Sequence, residues 1–242
     1  MQPDRIKRIR RTEVLAGLII ILVAFSYIAS LLLDFNFLSP DTTLQEDLAY
    51  LSEHTRNQKI SSWAWLFTAA ITLSAIPFYL IIFHRRMRSL HYINGLFMIG
   101  AAAGFTLMGI KGLELHQSMI LLLSEGIEQA NEQIKLSLLD QFRQELLFRR
   151  LGSSCVGLFA LGLSLTKFRL GRFPLFSTGL LLISGPALIF FNWYDPDHLA
   201  RTGAMAGIMI GVVVFCVRLI NKGLTIADQA GQEEIEEAGT TP

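Results

Sequence analysis

Apolar residues in this chain gather into six runs, each close to the length a helix needs to cross a bilayer, and the runs form two groups of three on either side of a polar-faced stretch. Residues 1–112 form an N-terminal half with spans at about 14–33, 62–83 and 92–112. Residues 151–221 form a C-terminal half with spans at about 151–166, 173–191 and 201–217. Between them, in residues 113–150, Leu115, Met119, Leu123, Ile127, Ala130, Ile134, Leu138, Phe142 and Leu146 recur at steps of three or four. That is the period of an amphipathic helix, and Glu125, Glu128, Glu132, Lys135 and Arg143 fall largely off the apolar stripe. The pattern predicts an all-α integral membrane protein: six transmembrane helices, with a long extracytoplasmic amphipathic helix between spans three and four.

Unbroken, that central helix runs roughly 57 Å at 1.5 Å per residue, and Gly126 is where it can be interrupted. Two placements compete for its stripe. It either lies in the lipid interface or packs against another helix, from its own bundle or from a partner. Ile120, Leu123, Ile127, Ile134 and Leu138 are the residues expected to make such an outer contact.

The segments around the spans refine this picture. Arg5, Lys7, Arg8, Arg10 and Arg11 precede the first run, which is too long for the apolar part of a signal peptide and reads as an uncleaved span. A polar segment follows, with a short helix predicted to carry Leu44, Leu48 and Leu51 on one face. Trp63 and Trp65 open the second span as part of an interfacial aromatic belt. Pro77 in span two and Pro186 in span five are expected to kink their helices. Gly100 and Gly104 make one G-x-x-x-G step, and Gly203, Gly207 and Gly211 make two overlapping ones, so close helix packing is expected at both sites. Residues 222–242 are acidic and poor in apolar side chains, the composition of a disordered tail.

Charge sets the expected orientation. Arg85, Arg86 and Arg88 follow span two, and Lys167, Arg169 and Arg172 follow span four, whereas the short link before span six carries Arg201 alone. Basic short loops belong on the cytoplasmic side. Both termini are therefore expected in the cytoplasm and the central helix outside, in a bacterial cytoplasmic (inner) membrane. Composition agrees with a membrane class: hydrophobic residues make up 52% and charged residues 17%, a balance that water-soluble domains do not combine with apolar runs of this length.

Candidate chemistry is sparse. The centres of the six runs hold no ionisable side chain, which argues against a proton pump or cation-coupled carrier, and no histidine stands where a span could ligate haem. Lys111 and Glu114 can pair at i,i+3 or Lys111 can snorkel, and Arg218 can do likewise at the other side. His54, His116 and His198 all fall on the expected outer side near carboxylates, and three converging histidines would hold zinc, although no ligand spacing supports them. His84 and His91 flank the basic turn and are expected among lipid phosphates. Cys155 and Cys216 sit inside apolar runs as packing residues. Phosphate-binding glycine loops and a G-x-S-x-G nucleophile elbow are both missing, so no cofactor is expected and catalytic residues are unassigned.

Three functions are consistent with this sequence. The first is a non-catalytic membrane subunit or scaffold that assembles through glycine-rich helices and the outer amphipathic helix. Its partners would be membrane lipids and a second copy or another membrane protein, with no nucleic acid. The second is a small-solute or ion permeation protein built from three-plus-three inverted repeats. The third is a membrane-embedded metal-dependent hydrolase using the outer histidines.

Overall fold

The computed structural model describes residues 3–33, 52–53, 55–83, 88–125, 132–170, 175–194 and 198–239. These residues form the helices α1 (Pro3–Leu33), α2 (Thr55–Phe83), α3 (Arg88–Glu125), α4 (Glu132–Leu170), α5 (Leu175–Trp193) and α6 (His198–Gly239). Each contains a stretch long and apolar enough to cross a membrane. Helices suit such runs because a helix satisfies its own backbone polar groups where no water is present. The segment carrying Leu44, Leu48 and Leu51 falls outside the described residues. Pro77 lies inside α2 and Pro186 inside α5, where each removes one backbone donor.

Consecutive helices pack side by side, and α6 returns to pack on α1, so the six close into a ring with only a slight contact across it, between α4 and α6. Every neighbouring pair is antiparallel. The Ser30 and Thr68 hydroxyls meet at 2.8 Å between α1 and α2. Gly109 of α3 lies against Ser62 and Leu66 of α2, and Gly104 against the Gly152 backbone of α4. The Trp193 indole donates to Ser154 Oγ at 2.9 Å between α5 and α4. Gly207 of α6 faces Ser184 of α5, and Gly17 of α1 faces Ile220 of α6.

This order bears on the expected inverted repeats. A two-fold axis in the membrane plane would reverse the sense of travel around the ring in the second half of the chain. The contacts run one way from α1 to α6, so the packing does not have the three-plus-three inverted arrangement.

Following the same registers along the helices, Leu33, Trp65, Met108 and Phe148 stand at about one level, close to where α5 ends and α6 begins. Among the described helices, α2, α3 and α4 continue past this rim. At 1.5 Å per residue α2 rises by about 15 Å, and α3 and α4 by about 25 Å.

The central stretch is therefore not a separate helix. Residues 113–125 continue α3 and residues 132–150 begin α4, giving two antiparallel arms of a hairpin that grow directly out of the ring. Glycine at position 126 falls between the arms, and folding back lets each apolar stripe cover the other. Leu115, Met119 and Leu122 of α3 pack with Leu138 and Phe142 of α4 in a small core of their own, flanked by Leu146. The larger core fills the ring and includes Tyr27, Trp65, Tyr79, Phe105, Met108, Ile208 and Phe215.

A second difference concerns the C-terminus. The disordered tail expected over 222–242 is helical as far as Gly239, continuing α6. Residues 222–239 are rich in Ala, Gln and Glu, which lose little freedom in a helix, and hold no proline.

Candidate functional site at the base of the hairpin

On α4, Leu138, Phe142, Glu145, Arg149 and Ser153 follow one another at steps of three and four and are all buried. The apolar stripe of the hairpin thus becomes polar where it meets the ring. Glu145 is 2% exposed and Arg149 6%. The two form an ion pair with Nη2 and Oε1 3.7 Å apart, and the other carboxylate oxygen accepts a hydrogen bond from Gln58 Nε2 at 2.8 Å. Burying two charges is costly unless each keeps partners, and here an amide from the neighbouring helix supplies one.

The start of α2 is shaped for this bond. Ser62 donates to the Gln58 carbonyl at 2.7 Å. Gly112 of α3 leaves the room that Gln58 and Ser62 occupy, since a methyl group there would collide with Ser62 Oγ and press on Gln58 Nε2. One turn further out, His116 Nδ1 donates to the Thr55 carbonyl at 2.8 Å and ties the first residue of α2 to the α3 arm. Lys111 and Glu114 pair at 2.7 Å on the partly exposed side of the same arm.

At the level of Arg149, Trp65 is buried at the top of the ring's core. Its ring packs on Phe105 at 4.7 Å between centroids and edge-on to Tyr27 at 5.5 Å. Tyr27 donates to Ser153 Oγ at 3.4 Å. Trp65 Nε1 and Gln141 Oε1 are buried with no hydrogen-bond partner.

At the opposite end of the ring a second polar group is formed by Tyr79, His91 and Asn94. Asn94 Nδ2 donates to the Tyr79 hydroxyl at 3.0 Å, and His91 Nδ1 lies 3.3 Å from the same oxygen. His91 is 1% exposed, so it faces the bundle interior and not the lipid phosphates expected for it. His84 lies outside the described residues.

The residues singled out from sequence are distributed as follows. Gly100 faces Cys155 and Gly104 faces Gly152, so this step packs α3 on α4. Gly207 meets Ser184 and Gly211 meets Leu181, but Gly203 has open space around it, and the close contact of α6 begins one step later than the repeat suggests. Of the outer-contact residues, Leu138 is buried in the hairpin, Ile120, Leu123 and Ile134 are exposed, and Ile127 lies outside the described residues. The buried register on α3 is 115, 119, 122, which leaves Ile120 and Leu123 on the outside.

The three histidines considered as zinc ligands fall in separate places along the chain. His54 lies outside the described residues, His198 opens α6, and His116 is engaged by Thr55. Among the described residues no group of three or more His, Cys, Asp or Glu side chains is placed to hold a metal ion. Sequence reasoning missed Gln58, Glu145 and Arg149. The available signal was that positions 138, 142, 145 and 149 keep one helical spacing while changing from apolar to charged.

Comparison with protein-family models, with curated proteins and with solved structures finds no match to this chain. Chemically, the site at the hairpin base can lock three helices together, and it presents no nucleophile with an assigned base.

Proposed function

We infer that the protein is a non-catalytic membrane subunit or scaffold that holds a helical hairpin clear of the membrane for a second copy or another membrane protein to bind. One observation carries this reading. The hairpin rises about 25 Å past the ring and carries exposed Ile120, Leu121, Leu123, Ile134 and Leu136, with Leu121 65% exposed. Apolar side chains grouped beyond the lipid are favoured on a surface that becomes covered by protein. The Gln58–Glu145–Arg149 network supports the reading because it fixes the arms at their base, so a partner meets a preformed surface and ordering costs are small. The charge pattern of the loops supports an orientation with the hairpin outside and both termini in the cytoplasm of a bacterial inner membrane.

The test is photocrosslinking in intact membranes from a photoreactive residue at position 121, with position 99 on the α3 ring segment as the comparison. The scaffold reading expects a discrete protein adduct from 121 and only lipid adducts from 99. Lipid adducts alone from both positions would refute it.

A further inference from the structure

The outward side of the α3–α4 pair carries two stripes. On α3, Ile110, Glu114, Gln117 and Leu121 follow one another at steps of three and four, and on α4 so do Leu136, Asp140, Arg143 and Leu147. Glu114 is partly exposed and the other seven are exposed. α2 packs on a different side of α3, at Gly109 and Gly112. From α4, Glu145 turns to Gln58 and Ser153 to Tyr27, toward the ring. Both stripes therefore look away from it.

The stripes match level by level. Gly104 lies against Gly152, and Leu115 and Met119 pack with Leu138 and Phe142. This antiparallel register sets Leu121 level with Leu136, Gln117 with Asp140, Glu114 with Arg143 and Ile110 with Leu147, each to within about one residue or 1.5 Å. From tip to rim each arm reads apolar, polar, charged, apolar, and the charge on α3 is negative where that on α4 is positive. A partner of unrelated sequence imposes no such agreement between the two arms. A second copy related by a two-fold axis along the membrane normal does impose it, because each residue then contacts its counterpart's match at the same height. Face-to-face contact about that axis lays α3 of each copy on α4 of the other. Leu121 meets Leu136, Ile110 meets Leu147 and Glu114 meets Arg143, each twice.

We propose that the hairpin surface binds a second copy of this chain in the same membrane, a proposal that rests on the scaffold reading and names its partner. The four arms form an antiparallel bundle. Arms about 25 Å high and together about 20 Å wide offer about 500 Å² per copy, so the contact covers about 1,000 Å² in all, the extent a specific interface needs. The apolar levels supply the burial and the charged level fixes register and partner. Glu114 bonds Lys111 through Oε2, which leaves Oε1 for Arg143 of the second copy.

Disulfide trapping in native membranes gives the test, in a full-length chain with Cys155 and Cys216 replaced by alanine. Two differently tagged chains are co-expressed, one with Leu121→Cys and the other with Leu136→Cys. The comparison partner carries Ile134→Cys, also exposed but two residues away and so nearly on the opposite side of the arm. Oxidation by copper phenanthroline is expected to join 121 to 136 about tenfold more than 121 to 134, since a disulfide forms only between closely approaching backbones. Charge reversal gives a second readout. Arg143→Glu is expected to weaken self-association in detergent about tenfold, and Glu114→Arg in the same chain to restore it. The proposal is overturned if 121 joins 136 no more than 134, or if the double charge reversal associates no better than Arg143→Glu alone. A photocrosslink from position 121 to a different protein, without the 121–136 disulfide, removes the second copy and leaves the scaffold reading standing. Lipid adducts alone remove both.

Discussion

Glu145 and Arg149 stand one helical turn apart on the buried face of α4, with their charged ends 3.7 Å apart and Gln58 of α2 bonded to the carboxylate. This relationship joins the membrane ring to the hairpin, because Arg149 lies at the rim and Glu145 one turn above it. It also makes the network sensitive to the loss of one member. Glu145→Leu removes the carboxylate that both Arg149 and Gln58 engage and is expected to destabilise the protein by about 3 to 5 kcal/mol, whereas the double change Glu145→Leu with Arg149→Met removes both charges and costs far less. Thermal unfolding in detergent measures both. Equal loss in the single and double variants would mean that the pair is not coupled.

The glycines give a sharper contrast than the sequence motif does. A methyl group on Gly104 would lie 2.7 Å from the Gly152 Cα, a backbone atom that cannot swing aside, so Gly104→Ala is expected to lower stability by about 1 to 3 kcal/mol. Gly203 has nothing within reach, and Gly203→Ala is expected to be neutral or to gain up to about 1 kcal/mol from helix propensity. Melting temperatures of the two variants should therefore move apart. A loss at 203 as large as at 104 would contradict the assigned face of α6.

Filling the apolar cavity inside the ring should stabilise it. Val212 lines the void, and Val212→Ile places one more methylene in it; recovering part of a 60 Å³ cavity is expected to add up to about 1 kcal/mol. Urea or heat denaturation in detergent reads this directly. A destabilised variant would show that the space is too narrow for a methylene to enter without strain.

Orientation can be checked at two exposed positions. Gln133 lies on the α4 arm, and Arg218 lies midway along α6 at the far end of its apolar stretch. In intact cells an impermeant thiol reagent is expected to label Gln133→Cys and to spare Arg218→Cys until the membrane is opened. The reverse pattern would invert the topology.

The six spans were legible because bilayer thickness imposes its length on an apolar run, whatever the run packs against. The hairpin was not. Its two arms have the same helical period and join with little change of phase, so Leu115 to Leu146 reads as one stripe, and Gly126 alone hinted at a fold-back. The burial of Glu145 and Arg149 was hidden for a related reason. A stripe drawn through one helix ranks positions by hydrophobicity, and only the approach of Gln58 from α2 makes a charged pair tolerable on the inner face. The repeated glycines showed where packing could be close, but not that Gly207 meets Ser184 while Gly203, one step earlier, faces open space.

The account rests on the hairpin being a surface that another protein covers. Light scattering in detergent, run on the parent and on Ile120→Glu combined with Leu136→Glu, tests this most directly, since two carboxylates would be buried unpaired in any protein contact made there. The parent is expected to elute as a complex larger than one chain, or with a stoichiometric partner, and the variant as a folded single chain. A parent that is already a single chain with nothing bound, and whose variant has the same mass, would contradict the account.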